Sequence, residues 1–330
     1  MDLAGQRVVV TGGAGFIGSH VVDALVRLGS DVVAIDDLST GERRNLAEAE
    51  RKGAQLVVGD VCDRELLDRE LAGACAVIHM ACDNLRASLA NPERSHEVNA
   101  TGSLVTALAS VEAGVERFVY VSSSEAYGSA VRVPMDEAHP LNPTTIYGAA
   151  KAAGELYSQA CMRAYGLPVT VIRPFNSYGP REHAEGTSAE VIPRFVTRIL
   201  AGLPPVIFGD GSQTRDFTWV EETAKGIAAA AGSDQLVGDA VNIAYGMGIS
   251  IRGICDLLLE ILDVDDLRPE FTEPRPGDVE QHVADTTKAQ SVLGFAPEVG
   301  IREGLERYVD WMRRQGWAEE VGRREPVRNW

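Results

Sequence analysis

Residues 8–20 read VVVTGGAGFIGSH. Valines run into a threonine, Gly12, Gly15 and Gly18 follow in a G-x-x-G-x-x-G spacing, and an amphipathic run begins. Consecutive β-branched residues predict a strand buried on both faces. Glycines between a strand and a helix let the backbone turn tightly and approach a pyrophosphate. The helix N-terminus favours that charge through its open N–H groups and positive dipole. Alone, the glycines also fit a plain strand-to-helix turn, so the rest of the chain has to decide.

Working outward, apolar strand patterns recur at 31–36, 54–60, 75–80, 117–123 and 168–174, after the first at 7–12. Helical patterns lie between them at 16–29, 63–72, 93–114 and 146–165. Strands alternating with helices predict parallel strands joined by crossovers. The fold expected is α/β, a Rossmann-type doubly wound parallel sheet with a smaller α/β substrate-binding domain. Beyond residue 174 the texture changes to Gly, Pro and polar clusters at 176–190 and 202–215. Short strands are expected at 205–208, 216–220 and 240–245, and helices near 190–201, 221–232, 250–262 and 302–314. The domain reading is a cofactor-binding unit over 1–174, rejoined by about 216–245. The substrate unit occupies mainly 175–330.

Asp36 closes the second strand. A carboxylate there accepts both ribose hydroxyls of a dinucleotide and repels a 2′-phosphate, which selects NAD over NADP. As a single residue it also reads as an ordinary loop aspartate. Asp60 and Val61 end the third strand, where an adenine fits, although Asp60 also suits a helix cap for the run near 63. The net charge of −17 over 330 residues excludes a nucleic-acid or anionic-membrane surface as the main partner. The five cysteines, Cys62, Cys75, Cys82, Cys161 and Cys255, show no C-x-x-C spacing, so no disulfide frame or metal site is expected. No apolar stretch reaches membrane length and no basic leader opens the chain, which gives a cytoplasmic expectation.

In TTIYGAAKAAGE (144–155), Tyr147 and Lys151 stand at i and i+4, on one face of a helix. An ammonium beside a phenol favours the phenolate and makes a general base for a sugar alcohol. The spacing by itself is common on solvated helix faces. With TGGAGFIGSH, DDLSTG, GDVCD, HMA, VNATGS, VSSSEAYG, RPFNSYGPR, GDGSQTRDFTWV and RPGDV added in this order, nearly the whole chain resembles one family. It is similar to the extended short-chain dehydrogenase/reductases, the NAD-dependent nucleotide-sugar epimerases and dehydratases.

The resemblance implies a Ser123, Tyr147 and Lys151 site, with Tyr147 as base and Lys151 on the NAD ribose. It places Phe16 and Ile17 with the glycines at the cofactor. His79, Met80, Ala81 and Asn99 line the cofactor cleft, and Pro174 and Phe175 lie near the nicotinamide. Asn176, Val191, Arg215 and Arg275 fall at the substrate, the two arginines as diphosphate clamps, a task their planar fork suits. The segment HMACDNLRAS departs from the family pattern by one residue. It puts Asp83, Asn84 and Arg86 toward the sugar. The segment REHAEGTSAEVIP (181–193) is a second atypical stretch and reads as part of the sugar-nucleotide cover; its lone loop histidine, His183, fits a substrate contact or, more commonly, a solvated side chain. A homodimer through the helices at 93–114 and 146–165 is implied as well.

VSSSEAYG (121–128) carries the distinguishing carboxylate. If the strand stays extended, Ser123 and Glu125 point the same way. Oxidation of a sugar at C4 acidifies C5–H, and a base there permits loss of the C6 hydroxyl as water. GDP-mannose 4,6-dehydratases carry Ser-Glu where this chain has Ser124 and Glu125, and dTDP-glucose dehydratases carry Asp-Glu. UDP-glucuronate decarboxylases carry Ser-Glu there as well, so the glutamate points beyond epimerisation without selecting the reaction; as a single residue it also fits a carboxylate bonded to loop N–H groups or solvent. Glu125 is read as the C5 base and Ser124 as a substrate contact. The leading expectation is an NAD-dependent 4,6-dehydratase of a nucleotide-diphosphate sugar. The alternatives are a 4-epimerase of a nucleotide hexose or hexuronate, a UDP-glucuronate decarboxylase, or an NAD-binding sensor without chemistry.

Overall fold

The structure, a computed structural model, describes residues 1–275 and 279–324. Its strands are β1 (Arg7–Thr11), β2 (Asp31–Asp36), β3 (Gln55–Val58), β4 (Ala76–His79), β5 (Arg117–Val121) and β6 (Val169–Pro174). The second half adds β7 (Asn176–Tyr178), β8 (Val206–Phe208), β9 (Thr214–Trp219), β10 (Ala240–Ile243), β11 (Gly248–Ser250), β12 (Glu270–Thr272) and β13 (Gln281–His282). Seven strands form one sheet in the order β10-β6-β5-β4-β1-β2-β3, and every pairing in it is parallel. This is the Rossmann-type arrangement expected.

The valine-rich strands have two buried faces because helices cover both. Val8, Val10, Val32, Ala34 and Ile78 join one core, with Val21, Leu25 and Ile227 from the helices Phe16–Arg27 and Val220–Gly232. Val9, Val33, Val77, Phe118 and Val169 join the other, with Leu67, Leu71 and Ala107. The alternation follows the two-residue period of a strand. Each such side chain contributes roughly 1.5–3 kcal/mol on burial. The strand order reverses at β1, which pairs with β2 on one side and β4 on the other. Ligands of open parallel sheets bind at this crevice, beyond the carboxyl ends of the strands.

A second core gathers Phe195, Ile254, Leu258, Leu305 and Tyr308 beneath the helices Val191–Leu200, Ile251–Ile261 and Ile301–Gln315. Over it lies a small sheet in which β9 pairs with β7, β11 and β13, and β8 and β12 form a separate two-stranded sheet. Strand β9 stays with this small sheet. The chain returns to the large one through the helix Val220–Gly232 and β10.

Two local expectations are corrected. The helix expected over 93–114 is interrupted: Pro92–His96 and Ser103–Ala113 flank a π-helical turn, Glu97–Gly102. The helix near 63 is capped by Asp63, whose carboxylate accepts from Leu66 N, so Asp60 has another role. Among the described residues no helix is long and apolar enough to cross a membrane.

Candidate active site

At the carboxyl ends of β1, β2, β4, β5 and β6 opens a deep cleft. Gly12, Gly15, Phe16, Ile17 and Gly18 form its floor. Gly12 has φ +68°, and a Cβ there would meet Ala81 N at 2.8 Å. A Cβ on Gly18 would fall 2.0 Å from the Gly12 carbonyl oxygen, so helix and loop close together only with glycine. The helix Phe16–Arg27 begins at Gly15 with no side-chain cap, which leaves its first N–H groups facing the cleft.

Asp36 is 7% exposed and lines this cleft. Its carboxylate accepts from Ala14 N and Leu38 N, each at 2.9 Å. Burial raises its pKa against the pull of those two bonds. Asp60 and Val61 stand at the same end. Burial raises the Asp60 carboxyl, but bonds from Cys62 N and Arg94 outweigh it and hold the group below its ordinary value. Arg94 also pairs with Glu97 and Asp37, so this cation is engaged by three carboxylates and does not offer a 2′-phosphate site.

Met80, Ala81, Pro174 and Phe175 complete the inner wall, and His79 lies behind it. His79 is fully buried between Thr11 Oγ1 at 2.8 Å and Ser103 Oγ at 3.0 Å, and burial drops its pKa to about 3. Asn99 does not line the cleft. The π-helical turn aims its amide at the backbone of Asp83, taking the N–H and giving to the carbonyl, both at 2.8 Å. Asn99 therefore shapes the cleft through the loop that follows β4. Asp83 in turn faces this cleft and is absent from the neighbouring cavity that Glu125 lines, contrary to expectation. Burial lowers the pKa of His183, and it lines the cleft mouth instead of standing in solvent.

Ser123, Tyr147 and Lys151 meet at the inner end of the cleft. Thr145 caps the helix Ile146–Tyr165 by accepting from Gly148 N, which sets the first turn that carries Tyr147. Lys151 is buried, donates to the Val121 carbonyl at 2.7 Å and lies 5.2 Å from the Tyr120 ring. Burial lowers its pKa. Burial holds the Tyr147 phenol well above its ordinary value, and a bond with Ser123 opposes it. The expected fall of the Tyr147 pKa toward neutrality is therefore not supplied by the polypeptide alone.

The strand does not stay extended to Glu125. It ends at Val121, and Ser124–Ala126 form a 3₁₀ turn in which Ser123 Oγ accepts from Glu125 N. The turn buries Ser124, which lines neither cavity, so its reading as a substrate contact is corrected. The same turn carries Glu125 into a second cavity beside Ser123 and Tyr147.

Asn84, Arg86, Asn176, Val191, Arg215 and Arg275 line that second cavity. Asn84 caps the helix Leu85–Ala90 and donates to Ser188 Oγ at 2.7 Å, tying the two unusual loops together. Arg86 is buried and gives Glu190 a 2.6 Å bond. Arg215 donates to the carbonyl of Val279 at 2.8 Å, and the Arg275 guanidinium lies 5.4 Å from the Phe208 ring. Both arginines, with Asn176, also border a third hollow walled by Val206 and Phe208, so they stand where the two cavities meet. The rest of the RPGD motif, 276–278, lies outside the described residues. Sequence reasoning missed Glu182 and Glu190. Glu190 borders all three cavities, and burial pushes the Glu182 carboxyl well up. Their placement in the atypical 181–193 cover was the available signal.

The family model for the NAD dependent epimerase/dehydratase family matches residues 8–244. A putative UDP-glucose 4-epimerase of Methanocaldococcus jannaschii is 36% identical over 93% of this chain and 98% of its own length. The UDP-glucose 4-epimerase of Thermotoga maritima, solved with UDP-glucose, is 37% identical with a TM-score of 0.88, covering 94% of this chain and 99% of that one. The dTDP-glucose 4,6-dehydratase of Streptomyces venezuelae, solved with NAD, is 35% identical with a TM-score of 0.89, covering 96% and 99%.

Proposed function

The chain belongs to the NAD-dependent epimerase/dehydratase family of nucleotide-sugar enzymes, and from that premise we propose that it is a 4,6-dehydratase of a neutral nucleotide-linked hexose. One observation carries the reading: Glu125 shares the sugar cavity with Ser123 and Tyr147. A 4-epimerase needs only room for the oxidised sugar to turn over and has no task for a carboxylate at C5. The hexuronate and decarboxylase readings are less well supported, because a hexuronate would bring a second carboxylate beside Glu125 while Arg86 is already paired with Glu190. The epimerase remains the second reading, favoured by the 36% and 37% identical relatives.

The residues suit NAD: uncapped N–H groups for a pyrophosphate, Asp36 for ribose hydroxyls, and Lys151 at the inner end. Bound NAD supplies a hydride acceptor and, in its oxidised ring, a positive charge. Tyr147 takes the proton of the C4 hydroxyl, with Ser123 holding that oxygen. Lys151, with Tyr147, orients the ribose. Glu125 then takes the proton at C5, and the C6 hydroxyl leaves. Arg215 and Arg275 hold the diphosphate. We further propose a homodimer through Ser103–Ala113 and Ile146–Tyr165.

The test pairs wild type with Glu125→Gln on a panel of UDP-, dTDP-, GDP- and CDP-hexoses in deuterated solvent. Wild type is expected to give a product lighter by one water with solvent hydrogen at C5. Glu125→Gln is expected to reduce NAD transiently and lose at least about a hundredfold in product formation. A wild-type product of unchanged mass without label at C5 overturns dehydration in favour of epimerisation.

A further inference from the structure

Dehydration, the reading on which this inference rests, sets a proton count. The departing C6 hydroxyl takes one proton to become water. C5 takes a second once hydride has returned to C6. C5 itself releases only one, and the other matches the proton lost from the C4 hydroxyl. The sugar end thus needs two proton holders in reach of each other. Glu125 is one, and Ser124, buried by the 3₁₀ turn, is not the other.

His282 stands behind Glu125. It lies on β13 and is 0% exposed. Its Nε2 is 3.0 Å from the Gly128 carbonyl oxygen. A carbonyl only accepts, so Nε2 carries a hydrogen and Nδ1 is where the ring gains or loses its second proton. That Nδ1 lies 3.9 Å from Glu125 Oε1. A neutral ring beside an ionised carboxylate would turn a lone pair toward negative charge, and a protonated ring makes an ion pair at this distance instead.

The surroundings fix both partners. A Cβ on Gly128, which has φ +68°, would fall 1.9 Å from the Asn142 carbonyl oxygen. A Cβ on Gly148 would fall 2.4 Å from the Glu125 carbonyl oxygen, so the Glu125 backbone is clamped against the helix that carries Tyr147. Phe175 meets the imidazole edge-on with ring centres 6.0 Å apart. The titratable or charged groups facing Glu125 among the described residues include His282 from β13, Tyr147 from Ile146–Tyr165 and Arg86 from Leu85–Ala90. Glu182, Glu190, Arg215 and Arg275 lie further round the cavity.

We propose that Glu125 and His282 form a proton-sharing pair, in which His282 is a positioning residue that keeps Glu125 ionised and stores the second proton of the dehydration. The imidazolium faces the Glu125 carboxylate. Glu125 takes the C5 proton; the electron pair left at C5 forms the C5–C6 double bond as the C6–O bond breaks. Glu125 passes that proton to the departing oxygen, which leaves as water. Hydride taken earlier from C4 returns to C6, the double-bond electrons move to C5, and the His282 proton reaches C5 through Glu125. The proton that Tyr147 took from the C4 hydroxyl equals in number the one His282 gave; Tyr147 releases it to solvent and His282 regains one by way of Glu125, so no net proton is gained or lost.

Wild type and His282→Gln are compared with dTDP-glucose, UDP-glucose and GDP-mannose as probes. Glutamine keeps a donor for the Gly128 carbonyl and cannot store a second proton. The variant is expected to form NADH transiently at the wild-type rate and to lose at least about a hundredfold in dehydrated product. The alkaline limb of kcat that reports the imidazolium is expected to vanish. A wild-type rate and pH profile in the variant, with wild type dehydrating, overturns the pair and leaves the dehydratase standing. A wild-type product of unchanged mass overturns both. NMR titration of the His282 ring in folded wild type and Glu125→Gln gives a second measure independent of the His282 variant. Removing the carboxylate is expected to lower the His282 pKa by about one unit or more, and an unchanged midpoint overturns the pair.

Discussion

His20 shows how a side chain outside the chemistry sets the working pH. It sits two residues past Gly18 in the first helix, 4% exposed, with Nε2 3.0 Å from the Pro180 carbonyl oxygen. Burial, with the Arg181 charge behind it, lowers its pKa from 6.5 to about 4. The unfolded chain therefore binds a proton below 6.5 that the folded chain refuses until about 4. Stability from this residue is fully present above the unfolded value and is lost as pH falls through that window. His20→Gln is expected to flatten the loss by about 2 kcal/mol between about pH 7 and about pH 5. Urea unfolding of both proteins at the two pH values measures it; equal slopes would remove His20 from the account. At this scale the sequence was readable wherever one residue type has one job. Gly12, Gly18, Asp36 and Lys151 stand in the expected cleft. Asn99 and Ser124 do not, because their direction depends on a π-helical and a 3₁₀ turn that no period announces.

The helix Ile146–Tyr165 is the element on which the site depends. It carries Tyr147 and Lys151, and Gly154 lets it lie against β5. A Cβ on Gly154 would fall 2.2 Å from the Tyr120 hydroxyl, which donates to the Lys151 carbonyl at 3.0 Å. Gly154→Ala gains helix propensity yet must push the helix off the strand. A net loss of about 1–3 kcal/mol is expected, as for other overpacked cores. The Tyr147 and Lys151 side chains move with the helix, so product formation is expected to fall more than stability alone explains. Thermal melts beside turnover measure both; a variant as stable and as fast as wild type would show that the contact relaxes freely. Helices and strands of the large sheet were legible to within a few residues because buried parallel strands alternate with amphipathic crossovers. Strands β7, β11, β12 and β13 were not, since two or three residues carry no period and owe their pairing to β8 and β9.

At the scale of the molecule, the exposed apolar surface lies unevenly. Leu156, Tyr157 and Tyr165, 55%, 38% and 63% exposed, stand on the helix Ile146–Tyr165 beside its neighbour Ser103–Ala113. Covering them by a second copy is the arrangement proposed for the dimer. Light scattering is expected to give twice the chain mass at micromolar concentration, and Leu156→Glu to shift it toward one chain. A monomeric wild type would refute the arrangement. The small sheet has a consequence of its own. β9 and β13 pair in register so that Arg215 stands opposite His282. Arg215, proposed to hold the diphosphate, and His282, proposed to back Glu125, are thus neighbours on one ladder. On that proposal, binding energy gathered far from the reacting carbon tightens the spot where the carbon reacts, so the grip is spent on turnover as well as on affinity. A sugar 1-phosphate stripped of its nucleoside would lose rate, and raising its concentration would not restore it.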